Sequence, residues 1–240
     1  MITRHHLVLI LLCGLIIGSV TAGTDPFILV VLIGGAAIGA ILPDIHMKRP
    51  KKTRALTIAW YVVQIGRWIC IPIMSRIYRI CGIVDIDTDD KCLTHSVPGM
   101  VIYSGVFAGI MLPLAFLSGK SILPEVFLGG IILGFFLHLT EDLCTKKGIP
   151  VFYPFTECMI HGSIRPCDMH DKRIRRFQVQ HVCILGIVLL LHAAAIPAGI
   201  LIACGFAGIG IGIVAMIGQS DVRMTHPEKW FSKYRKGVST

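Results

Sequence analysis

Five apolar runs constrain this chain more than any other feature: residues 7–22, 27–42, 97–117, 122–139 and 182–217. A helix needs about 20 apolar residues to cross a bilayer's hydrocarbon core. The last run, 36 residues long, is too long for one crossing, and Pro197-Ala198-Gly199 near its middle reads as a tight turn between two helices. The expected fold is therefore an all-α polytopic membrane protein of about six transmembrane helices. At 54% hydrophobic and 15% charged residues, with a mean hydropathy of +0.75, the chain has too little charge to stay dispersed as a soluble domain. The first run has a second reading: Arg4 ahead of an apolar stretch that closes on Val20-Thr21-Ala22 also resembles a cleavable signal peptide, whose removal would leave five spans.

Six spans place the N-terminus, residues 43–96, residues 140–181 and the C-terminal tail on one side of the membrane. That side carries 22 of the 23 Lys and Arg residues, with only Lys120 on the other, so the positive-inside rule puts it in the cytoplasm of a plasma (inner) membrane. The net charge of +9 is then a topology signal. It is not spread along a soluble face with interleaved aromatics, so the bilayer is the expected partner and nucleic acid is not.

Residues 55–83 are apolar but broken by Arg67, Arg76 and Arg79, with Trp60, Tyr61, Trp68 and Tyr78 among them, which suits an interfacial helix between spans two and three. Trp230, Phe231 and Tyr234 among the lysines of the tail suit a second, weaker anchor. The organisation is thus a four-span region (1–155), a basic loop (156–181), two further spans (182–217) and a basic tail (218–240). The nine cysteines include no C-x-x-C pair and read as reduced small hydrophobes.

Four polar motifs fall at span ends: Arg4-His5-His6-Leu7, Leu42-Pro43-Asp44-Ile45-His46, Leu93-Thr94-His95-Ser96 and His138-Leu139-Thr140-Glu141-Asp142. They open span one, close span two, open span three and close span four, so all four meet the same membrane face. His138 and Asp142, four apart on a helix, stack on one side, where an imidazole and a carboxylate can approach one cation. Imidazole with carboxylate suits zinc, manganese or iron.

Each motif alone has a plainer explanation. His6 can sit at the interface, Thr94 to Pro98 can form a helix cap with Ser96 purely structural, and Asp142 can pair with Lys146. Ionisable residues beside hydrocarbon are costly unless they pair or bind something, however, and here four helix ends bring them to one side. A shared divalent-metal site is the expectation, with His6, Asp44, His46, His95, His138 and Asp142 as candidate ligands and Asp44, Asp142 and His95 as candidate catalytic groups. His161 and His170 lie in the basic loop, His181 and His226 flank span ends without acidic neighbours and His192 lies inside a span, so these five are left outside it.

At these residues the chain resembles the YdjM-like family of membrane-bound, metal-dependent hydrolases. The resemblance runs through His6-Leu7, then Ile41-Leu42-Pro43-Asp44-Ile45-His46, then Thr94-His95-Ser96, and finally His138, Asp142, Thr145, Gly148 and Pro150 followed by Tyr153-Pro154. It covers roughly residues 1–155. His46 stands where the family has a second acid, and Asp90-Lys91-Cys92 where it has His-Arg-Gly. The resemblance implies hydrolysis of an ester or phosphoester, including those of lipids, with a metal-activated water; either Asp44 or Asp142 would take the water's proton. Lys91, Lys146 and Lys147 would meet an anionic head group or serve only as topology signals. The alternative from another class is a transporter or scaffold whose polar cluster binds a cation or proton, although such sites usually sit near the bilayer midplane on broken helices.

Overall fold

The computed structural model describes residues 3–21, 26–44, 54–83, 91–118, 122–156, 158–168 and 170–225. His46, the basic residues of 48–52, Asp90, Lys120, His226 and the aromatic tail lie outside these. The described chain is helical almost throughout: α1 (Thr3–Val20), α2 (Pro26–Ile41), α3 (Arg54–Ile80), the short α4 (Lys91–Thr94), α5 (Val97–Ser118), α6 (Ile122–Leu143), α7 (Arg173–Ala193) and α8 (Ala198–Gly218). Four helices, α5 to α8, are long and apolar enough to cross a membrane, and α1 and α2 are shorter apolar helices. The chain is an all-α membrane protein in its architecture; strands β1 (Met159–His161) and β2 (Arg223–Thr225) form one small antiparallel ladder outside the helices.

The centre of the bundle is the α2–α6 pair. Gly35 and Gly39 on α2 face Gly130 and Gly134 on α6, each pair four residues apart. A Cβ at Gly39 would strike the Ile131 carbonyl, and one at Gly134 the Ala36 carbonyl. Small residues at this spacing let two backbones come together within a membrane, where packing takes the place of the hydrophobic drive. Apolar clusters flank the pair. On one side Leu9, Ile10, Cys13 and Ile16 of α1 meet Phe177 and Val188 of α7 and Leu201, Ile209 and Met216 of α8. On the other, Cys70, Ile71, Met74 and Tyr78 of α3 meet Tyr103 of α5 and Ile131 and Phe135 of α6.

Those α3 residues, with Val63, form one buried helical stripe, while Arg76 and Arg79 on the same helix are exposed, along with Trp68 and Ile80. Helix α3 is thus amphipathic, as the interrupting arginines led one to expect.

Two features depart from the sequence expectation. Helix α7 begins at Arg173, nine residues before the apolar run, because Ile174, Phe177 and His181 continue its buried face between the arginines. The basic loop and the start of the tail are not wholly irregular either, since β1 and β2 pair across them. Arg173 organises this region: its guanidinium donates to Asp171 Oδ2 at 2.7 Å, to Ser163 Oγ at 2.6 Å and to the Ser163 carbonyl at 2.9 Å. The same guanidinium holds the Asp171 carboxyl well below the usual carboxylate range.

Candidate metal centre

Close packing of α2 on α6 has a consequence one residue beyond Gly39. The Ala40 carbonyl lies 2.6 Å from His138 Nδ1, which donates to it and is thereby fixed as the protonated nitrogen. His138 sits one turn past Gly134, so the contact that needs glycine also sets the imidazole. Its Nε2 is left with a lone pair.

His95 is held the same way from a different element. Thr94 Oγ1 donates to the Pro43 carbonyl at 2.8 Å and lies 3.3 Å from His95 Nδ1, so a relay from Nδ1–H through the hydroxyl to the carbonyl leaves His95 Nε2 as the acceptor. Ser96 caps α5 by accepting from the Gly99 amide at 3.1 Å, which fixes the turn that aims His95 inward. The structural role expected for Ser96 is the one it has here.

These two acceptor nitrogens point at each other across 3.4 Å. Asp142 Oδ2 lies 3.6 Å from both of them, and Asp44 Oδ1 3.7 Å from His95 Nε2. Two lone pairs facing at that distance repel unless a proton or a cation lies between them. A triangle of such sides has its centre about 2 Å from every corner, which is the length of a zinc–nitrogen or zinc–carboxylate bond. With each Nδ1 tied to a second acceptor, as metal-bound imidazoles almost always are, the donor set fits a divalent ion. Two overlapping sets of three could hold one: His6, His138 and Asp142, and Asp44, His95 and His138, with His138 common to both.

His6 enters from α1 and stacks on the His138 ring with centroids 4.1 Å apart. Its Nδ1 is 3.1 Å from Glu141 Oε2 and its Nε2 3.7 Å from Asp142 Oδ1, yet neither nitrogen is aligned for a hydrogen bond among the described residues. Glu141 is only 1% exposed and was missed as a site residue. Its spacing carried the signal, because a residue three after His138 shares the helix face of the one four after it. The Asp44 side chain, 20% exposed against 3% for His95 and none for His138, is the rim of the cluster and marks the side from which a ligand would arrive.

Of the six candidate ligands, five converge: His6, Asp44, His95, His138 and Asp142. His46 lies outside the described residues. Thr145 and Gly148 do not reach the cluster as ligands but shape the turn after α6: Thr145 Oγ1 donates to the Asp142 carbonyl at 2.7 Å, and Gly148 adopts a φ of 65° where a Cβ would strike the Ile160 carbonyl. No cysteine joins either set of donors among the described residues. Burial pushes the Cys144 thiol, just past Asp142, up to about 11.

His181 is buried in the third turn of α7, donating through Nδ1 to the Phe177 carbonyl, and has no place in this cluster.

Thr94 offers a test of the relay. Thr94→Val keeps the side chain's shape but removes the hydroxyl, and is expected to weaken divalent-metal affinity about 10- to 100-fold, whereas Thr94→Ser should stay near the parent. Competition with a chromogenic chelator reads the difference; equal affinities for the two variants would remove the hydroxyl from the account.

The profile of the YdjM inner membrane protein family matches residues 1–221, a span that takes in every member of the cluster. No curated protein and no solved structure matches the chain.

Proposed function

The chain belongs to the YdjM inner membrane protein family, and from that premise we propose that it is a metal-dependent hydrolase acting on an ester or phosphoester, lipids included, at the cytoplasmic face of the membrane. The observation that carries this reading is the 3.4 Å approach of His95 Nε2 and His138 Nε2, each imidazole oriented by a contact at its other nitrogen. His95, His138 and Asp142 would hold the ion, with His6 and Asp44 beside it. When bound, a zinc, manganese or iron ion polarises the ester or phosphoryl oxygen and acidifies a water.

The protein's own groups divide the remaining work. Asp142 is nearly equidistant from the two imidazoles and serves as a ligand; Asp44, at the exposed rim, is placed to receive the water's proton. Glu141 lies buried beside His6, its Oε2 3.1 Å from His6 Nδ1. The location of these groups at helix ends, not at the middle of broken helices, supports an interfacial enzyme over a transporter. The reading is tested with detergent-purified protein on aryl phosphodiesters and aryl esters. Asp44→Asn should reduce turnover by about 100-fold or more while retaining metal, as loss of a general base does. Metal-replete protein that turns over neither substrate class would favour the transporter or scaffold.

The same proposal carries a topology of six crossings, α1, α2 and α5 to α8, with α3 lying along the cytoplasmic surface and both termini inside. The four-span region and the tail keep the boundaries given above, while the loop shortens to residues 156–172 and the final pair begins with α7 at Arg173. In a cysteine-free background, an impermeant maleimide applied to intact cells should label Ser118→Cys and leave Lys51→Cys and Arg173→Cys protected. External labelling at Lys51→Cys would overturn the arrangement.

A further inference from the structure

Away from the polar cluster, a cleft of about 610 Å³ lies between α7 and α8. Its α7 wall is two parallel stripes at i, i+4 spacing: Lys172, Arg176, Gln180 and Ile184, and beside them Arg175, Val179 and Cys183. Gly212 and Ile211 of α8 form the facing wall, with Gly212 so close to the His181 ring that a Cβ there would sit 2.8 Å from it. The cleft therefore changes character along its length. Three cations stand at the mouth, a carboxamide lies one turn in, and apolar side chains line the rest. From Lys172 to Ile184 is about 18 Å of helix, close to the depth of one leaflet.

Among the described residues, the cations at the mouth are not taken up by carboxylates. Arg173, which lies outside the cleft's lining, takes the local carboxylate, Asp171. Among the described residues Arg176 reaches the Gln219 carboxamide oxygen at 3.4 Å, and Lys172, Arg175 and Arg176 have no carboxylate partner. One turn below, Gln180 Oε1 is buried with no hydrogen-bond partner among the described residues. Topology alone would place cations in the loop, but it would not continue them into a polar group and then an apolar slot on the same helix face.

We propose that this cleft binds one anionic phospholipid, its phosphate at Lys172, Arg175 and Arg176, its glycerol ester oxygens accepting from the Gln180 amide N–H, and an acyl chain along Val179, Cys183 and Ile211. The polarity of the slot follows that of the lipid from head to tail, and three cations favour an anionic head group over a zwitterionic one. The cleft shares no side chain with the polar cluster, so its occupancy can be tested whatever the metal site proves to do.

Native mass spectrometry of the detergent-solubilised full chain, titrated with dioleoyl phosphatidylglycerol or dioleoyl phosphatidylcholine, reads the binding. One saturable phosphatidylglycerol adduct is expected at about tenfold or more lower lipid concentration than for phosphatidylcholine. Lys172→Gln with Arg175→Gln and Arg176→Gln should equalise the two lipids. Cys183→Phe and, independently, Ile211→Trp fill the slot from opposite walls at exposed positions with the cations intact, and each should abolish the single adduct. Equal binding of both lipids by the parent overturns the site. Retention of the phosphatidylglycerol adduct in both slot-filling variants also overturns it, since that would be attraction to a charged surface only.

Discussion

Purified His138→Ala protein is expected to retain less than about a tenth of the divalent metal that the parent carries, the larger end of the loss seen when a well-oriented ligand is removed. The expectation follows from position. His138 is the member common to both sets of candidate ligands, its Nε2 facing His95 Nε2 at 3.4 Å and Asp142 Oδ2 at 3.6 Å, and it is held by the Ala40 carbonyl at 2.6 Å. Truncation removes a donor from both sets at once and leaves His95 Nε2 facing only the carboxylates of Asp44 and Asp142 among these donors.

His6→Ala removes one donor from one set and should cost less. The two effects are separable from misfolding by requiring that each variant still insert in the membrane and elute as a single species. Elemental analysis of both variants beside the parent reads the ranking, and a His138→Ala protein that keeps its metal would move the site elsewhere.

Gly134→Val should be strongly destabilising, at about 3 kcal/mol, the upper end of what overpacking a closed interface usually costs. Even a Cβ at this position would strike the Ala36 carbonyl, and backbone cannot yield as a flexible side chain can. Separating α2 from α6 would also draw the Ala40 carbonyl away from His138. The prediction is therefore double: a lower thermal transition in detergent and a loss of metal that exceeds the loss of folded protein. Gly129→Val makes the control, because a Cβ at Gly129 meets nothing within van der Waals reach and should be tolerated. Equal behaviour of the two variants would remove the glycine contact as the basis of the site.

How much of this was legible beforehand depended on whether a residue's role could be read along the chain. His138 and Asp142 could be placed on one face because helical periodicity is local, and Asp44 and His95 could be brought to the same end because the parity of helices puts alternate loops on one side. The same periodicity applies to Glu141, three residues after His138.

The glycines were harder. Gly35, Gly39, Gly130 and Gly134 are plain in the apolar runs, but small residues do not declare which helix they will meet, and that pairing is a property of the packed bundle. The early start of α7 was hidden for a related reason: Ile174 and Phe177 are separated by arginines, and a count of consecutive apolar residues does not see a buried face that is one residue wide per turn. The β1–β2 ladder joins segments more than sixty residues apart, and neither strand of three residues has a pattern of its own.

In this account two imidazoles and a carboxylate from two helix ends, His95 at the start of α5 and His138 with Asp142 at the end of α6, share one divalent ion. X-ray absorption at the metal edge of protein purified without chelators tests it most directly. The account predicts at least one ion per chain in a shell of nitrogen and oxygen at about 2.0–2.2 Å, with outer-shell scattering from at least two imidazoles. A protein without stoichiometric metal, or a shell dominated by sulfur at about 2.3 Å, would contradict it.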